Sequence, residues 1–114
     1  MSETESITST ATAELERSAR FGKQLTNHLG RKQGGEWNGE TERGWVTLLE
    51  RHATFTASTG TLRMQVSAPA DELDRLERVI GGHLVRFVRD PELTVTWARS
   101  NGDAGSTQRF ESEE

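Results

Sequence analysis

The sequence of 114 residues contains no cysteine. Disulfides, thiolate zinc sites, iron–sulfur clusters and cysteine nucleophiles all require the sulfur atom, so all four are excluded and stability must come from packing. Positive charge is not in excess either. The 14 Lys and Arg stand against 18 Asp and Glu, for a formal net charge of −4. Such a chain projects no field that gathers phosphate backbones, which argues against nucleic acid as a partner. Long apolar runs are missing as well. With 32% apolar residues and a mean hydropathy of −0.73, no stretch approaches the roughly 20 apolar residues of a membrane-spanning helix. The opening MSETESITST has neither the cationic start nor the apolar stretch of a secretory signal, so the expected compartment is the cytoplasm. No G-x-x-x-x-G-K-[ST] loop and no nucleophile-elbow serine occurs. Gly34-Gly35 lacks the following helix that a dinucleotide fingerprint demands, so the standard nucleotide enzymes are disfavoured.

What is present fits one domain of modest core. Residues 1–5 are acidic with nothing to bury and are expected to fray. From Ser6 the chain alternates strictly, with Ile7, Ser9, Ala11 and Ala13 on one side and threonines on the other, as a strand does. Ser18 is the expected N-cap of a first helix carrying Phe21, Leu25, His28 and Leu29, with Gly30 as its left-handed C-terminal residue. Next comes a short strand within Gln33–Arg43, ending in an Asn38-Gly39 turn. Trp45–Leu49, His52–Ser58 and Thr61–Ala68 then read as a meander with one apolar face. After Pro69, a stripe of Leu73, Leu76, Ile80, His83, Leu84 and Phe87 predicts a second helix, its acidic first turn suited to the helix dipole. Gly81-Gly82 within it points to close packing or, as the alternative, a locally weak helix. Leu93, Val95 and Trp97 form a last strand. Residues 99–114 are rich in Gly, Ser, Asp and Glu and are expected to be a mobile tail. The predicted fold is α+β, a single domain over 6–98 in the order β-α-β-β-β-β-α-β, with a mostly antiparallel sheet and two helices on one face.

The K-Q-L-x-x-H segment of helix one, H-L-x-R-F in helix two and the ending E-L-x-V-x-W, in that order, resemble the bacterial domain of unknown function 2218 family from about Ile7 to Trp97. By that resemblance Lys23, Gln24, Leu25, His28, Lys32, His83, Leu84, Arg86, Phe87, Glu92, Leu93 and Trp97 occupy recurrent positions, to which no role is attached. The family's middle strands usually read F-G-x-C-x-L. Here LLERHATFTA stands instead, with His52 near the cysteine position, so thiol chemistry is not implied. Some members are associated with siderophore-interacting, flavin-dependent iron-release proteins, which implies a link to iron handling.

Several side chains are candidates for chemistry. If both helices cover one sheet face, His28 and His83 approach each other, and with Glu92 or Glu36 they would offer the nitrogen and carboxylate donors that suit Fe(II) or Zn(II). The plainer reading is that each imidazole fills a half-buried position and donates to a backbone carbonyl. Lys23, Arg31 and Lys32 around helix one, and Arg86 and Arg89 at the end of helix two, either cap helices or frame an anion pocket for a carboxylate, phosphate or hydroxamate. Trp37, Trp45 and Trp97 either pack the core or line a groove. Glu36, Glu40, Glu42 and Glu50 lie on turn-rich segments with no apolar pocket to raise a pKa.

The leading expectation is a non-enzymatic accessory domain that binds a small anionic ligand or a protein partner through Lys23, His28, Lys32, His83 and Arg86, in iron or siderophore metabolism as the resemblance implies; the cofactor is unknown. The alternatives are a small metal-dependent enzyme with His28 and His83 as ligands and Glu92 as third ligand or base, and a structural or oligomerisation module whose threonine-rich face or acidic tail meets a partner or a second copy.

Overall fold

A computed structural model describes residues 6–110. The strict alternation of the first segment forms β1 (Ser6–Glu14), followed by α1 (Ser18–Leu29), β2 (Gly35–Asn38), β3 (Arg43–Leu48), β4 (Arg51–Ser58), β5 (Thr61–Pro69), α2 (Ala70–Val88), β6 (Thr94–Arg99) and β7 (Ala104–Arg109). The seven strands make one sheet in the order β2-β3-β4-β5-β1-β6-β7, with every pairing antiparallel. The architecture is α+β, as the sequence predicts, with one strand more than expected.

Alternation along the strands decides what faces the helices. Ala11, Ala13, Phe55, Leu62, Met64, Val66, Val95 and Trp97 are buried on one side, and Leu25, Leu73, Leu76, Ile80 and Leu84 of the helices close over them. Burying side chains of this size removes apolar area from water at about 1.5–3 kcal/mol each, and this drives the two layers together. Between them lie Thr8, Thr10, Thr12, Thr54, Thr56, Arg63 and Gln65, which point to the other, helix-free side. α1 covers the β2–β5 end and α2 the β1–β7 end, and the two helices touch each other.

Five local expectations are corrected. The residue before α1 is Arg17 in a left-handed conformation, and no side chain caps the helix; Ser18 is already inside the first turn, and its hydroxyl donates to the Ser58 carbonyl, tying the helix start to the β4–β5 end of the sheet. Gly30 has φ −84°. It is glycine because a Cβ there would meet the Gly35 backbone at 2.9 Å, while the left-handed residue is Gly34 at φ 108°. Asn38-Gly39 is not a two-residue turn. Asn38 Oδ1 accepts from the Glu40 and Thr41 amides and Glu42 takes the positive φ, which gives a longer loop. Gly81 is closely packed, since a Cβ would fall on the Gln108 side chain, but Gly82 has open space around it.

The fifth correction concerns the tail. Residues 104–109 are not mobile but form β7 against β6, and Phe110 packs against the core. The cause is Glu77, which sits on the apolar stripe of α2 with no exposure. Its carboxylate accepts from the Ser9 hydroxyl, from Arg99 Nε and Nη2, and from the Ser106 amide and hydroxyl. Hydrogen bonds to a buried charge, not apolar burial, thus fix this strand. Trp97 Nε1 donates to Gln108 Oε1 at 2.7 Å and extends the same clasp. Residues 1–5 and 111–114, expected to be frayed or mobile, lie outside the described residues.

Candidate functional site

The carboxyl end of α1 and the middle of α2 meet beside the β3–β4 hairpin. His28 and His83 come together there, with ring centroids 4.8 Å apart and planes tilted by 43°. Phe87 stands edge-on to both, at 5.4 Å from His28 and 6.2 Å from His83. His83 Nδ1 lies 2.7 Å from the Val79 carbonyl. A carbonyl can only accept, so Nδ1 carries the proton and a neutral His83 presents Nε2 as a free acceptor. Burial, the neighbouring His83 and the Arg31 guanidinium, in that order, lower the His28 pKa below its ordinary 6.5. The fold therefore favours the neutral form of the His28 ring.

The pair forms one wall of a depression of about 390 Å³, otherwise lined by Arg31, Lys32, Gln33, Thr47, Leu48, Leu49 and Val79. Its floor is apolar, and its rim carries two cations just past the end of α1. Leu49 has φ 51° and the next residue, Glu50, φ 67°. Two successive left-handed residues are what a tight hairpin between β3 and β4 requires, and Asn-Gly is the usual solution. A leucine at such a φ is a genuine outlier and costs about 1–2 kcal/mol. This leucine is also 40% exposed, one of two large apolar side chains so placed among the described residues. The turn is held from α1's side by Gln33 Oε1, which accepts from the Glu50 amide at 2.8 Å.

Of the residues singled out in the sequence, His28, Lys32 and His83 converge here. Lys23 does not line the depression. It precedes His28 by five positions on α1, about 140° around the helix. Arg86 opens instead onto an adjoining hollow along α2, which it shares with His83, Val79, Asp74, Arg75 and Arg78. Glu92 is exposed and lines a third hollow with Thr12, Glu14, Thr94 and Thr96, residues of the helix-free sheet side. Among the described residues no group of three His, Asp, Glu or Cys is placed to hold a metal ion, so the expected three-ligand set does not assemble. Trp97 is core, and Trp37 packs over Gly22 and Gly44.

Sequence reasoning missed Leu49 and Gln33 at this site. Their signal was a hairpin with neither glycine nor asparagine at its tip. It also missed Glu77, a carboxylate set on the apolar stripe four residues after Leu73.

Among the described residues no helix is long and apolar enough to cross a membrane. No functionally curated protein matches the chain. In shape it is similar to PA4090 from Pseudomonas aeruginosa, whose structure was determined by NMR, with a TM-score of 0.66 and 25% identity over 88% of this chain and 99% of that one. Residues 10–98 match the family model described as an uncharacterized protein conserved in bacteria, DUF2218. The chain accordingly belongs to the bacterial domain of unknown function 2218 family.

Proposed function

We propose that this domain is a non-enzymatic binding protein for a small amphiphilic anion, a carboxylate or hydroxamate with an apolar body, held between α1 and α2. The observation that carries this reading is Leu49, a strained and exposed leucine at the rim of a hollow whose other rim holds Arg31 and Lys32. Strain of this sort persists at sites where it is used. The ligand's apolar body lies on Leu48, Leu49 and Val79 while Arg31 and Lys32 take its charge. The carbonyl end of α1 opposes an anion by about 0.3–1 kcal/mol. Charge-assisted hydrogen bonds from two cations, at about 1.5–3 kcal/mol each, outweigh that. Nε2 of His83, the ring nitrogen opposite the one that donates to Val79, adds an acceptor for a protonated hydroxyl or hydroxamate.

The test is a titration of the full chain, followed by amide chemical shifts, with a medium-chain carboxylate, inorganic phosphate and a ferric hydroxamate siderophore. The amphiphilic probes are expected to shift residues 28–33 and 47–50, and phosphate is not. Arg31→Ala/Lys32→Ala is expected to weaken binding about tenfold or more, the equivalent of one charge-assisted contact. Leu49→Asn paired with Glu50→Gly relieves the turn and is expected to raise stability by about 1–2 kcal/mol while weakening the same binding. A stabilised variant that binds as well as the parent refutes the reading, and so does the absence of localised shifts with millimolar probe. An iron link, which the resemblance implies, rests on the siderophore alone producing the effect.

A further inference from the structure

The other exposed large apolar side chain among the described residues is Trp45, 40% exposed on the helix-free side of the sheet. It stands on β3 opposite Glu36 of β2 and Thr54 of β4. His52, diagonally across on β4, lies with its ring centroid 6.0 Å away and its plane inclined by only 22°. At a van der Waals spacing of about 3.5 Å, that centroid distance leaves the rings displaced sideways by about 5 Å. Neither ring covers the other, and together they make a shelf. The shelf is one side of an open hollow of about 700 Å³.

The surround is polar and nearly neutral. Glu36 and Arg43 contribute opposite charges, and neither is in an ion pair among the described residues. Thr54 and Thr56 add hydroxyls. Gln65 donates through Nε2 to Thr10, which leaves its Oε1 to accept. The Oδ1 of Asn38 is taken by backbone amides, which leaves its Nδ2 to donate. Donors and acceptors therefore ring an aromatic shelf at fixed positions on a sheet.

We propose that this face is a second binding site, for a neutral sugar ring, with Trp45 stacking against the sugar's C–H face and the surrounding side chains meeting its hydroxyls. Charge balance disfavours an anion, which separates this site from the hollow between the helices. The shallow, one-sided shape disfavours a flat aromatic ligand, which gains most when both faces are enclosed. A sugar ring needs one apolar contact face and a rim of alternating donors and acceptors.

The probes are cellotriose, maltotriose and chitotriose, titrated against the full chain with amide and indole N–H shifts as the readout. At least one is expected to bind saturably in the millimolar range, moving the Trp45 indole and residues 36, 43, 54 and 65 while residues 28–33 stay still. Trp45→Ala is expected to weaken that binding about tenfold or more, and Trp45→Phe by less, because a smaller ring still stacks. Arg31→Ala/Lys32→Ala is expected to leave it unchanged. The proposal is overturned if no oligosaccharide shifts Trp45, if a planar aromatic carboxylate binds there and sugars do not, or if the Trp45 signals move with protein concentration alone, which would make the face a contact between two copies.

Discussion

Replacing Glu77 by Gln keeps its shape and removes its charge. Five hydrogen bonds converge on this carboxylate, two from Arg99, one from Ser9 and two from Ser106. One Gln oxygen can take over one side of that set. The amide nitrogen then faces donors on the other, either Arg99 Nε and Ser9 or Arg99 Nη2 and Ser106. Breaking a buried, hydrogen-bonded charge pair from one side costs about 3–5 kcal/mol, and the retained oxygen puts Glu77→Gln at the lower end, about 3 kcal/mol. For a domain of this length that lowers the melting temperature by about 12 °C. The assay is urea unfolding followed by circular dichroism, and the dependence on pH supplies a second check. Burial alone would raise the Glu77 pKa, but the bonds from Arg99, Ser9 and Ser106 outweigh it, and the net shift is downward. The carboxylate's contribution is therefore fully present above the ordinary carboxylate range and is lost as pH falls through the depressed folded value. The gap between wild type and Glu77→Gln should close in acid. A variant within about 1 kcal/mol of wild type at neutral pH, no more than one ordinary hydrogen bond, or a gap that ignores pH, would refute the account of β7 as a strand held by one buried charge.

Two further outcomes follow from the same packing. Gly82→Ala fills open space in α2 and is expected to stabilise by about 1 kcal/mol, whereas Gly81→Ala displaces Gln108 from Trp97 Nε1, so the two variants should differ by about 2 kcal/mol in denaturant midpoints; equal effects would show that Gln108 is not seated against α2. The ring protons of His28 should titrate with a midpoint below 6.5, moving upward in His83→Gln, and stability should fall as pH drops through that midpoint, because the fold favours the neutral ring.

Periodicity was enough to place seven of the nine elements, because each buries a face and burial leaves a pattern of two or of 3.6, while β2, with no buried residue, was placed by the glycines and the Asn38-Gly39 signal around it. β7 left no such pattern. Its sequence AGSTQR is held by polar bonds to groups nearly 30 residues earlier and to β6, and a composition reading sees only a mobile segment. The same limit applies at the start of α1, where Ser18 sits inside the first turn and donates to a carbonyl 40 residues away, a tertiary partner that local sequence does not announce. At the site, the approach of His28 to His83 was legible, because two helices on one sheet face must bring their facing stripes together. Spacing could not say that Lys23 lines no part of the depression, that Arg86 lies in the next hollow past His83, or that Glu92 belongs to the opposite side of the sheet. Side-chain direction on a helix is fixed to within about 100° per residue, but which neighbour it meets is a tertiary fact.

β1 sits between β5 and β6, so the earliest strand of the domain is completed by partners from the middle and the end of the chain. Ser6 pairs with Pro69, and Ser9 with Arg99. During synthesis β1 must wait while the whole β2–β5 meander emerges. Its helix-facing side chains, Ile7, Ser9, Ala11 and Ala13, are small or polar, which makes the waiting segment a poor seed for association with other nascent chains. Meander first and central strand later is the order such a topology imposes, and its long loop closure should make folding slower than the size of the domain alone suggests.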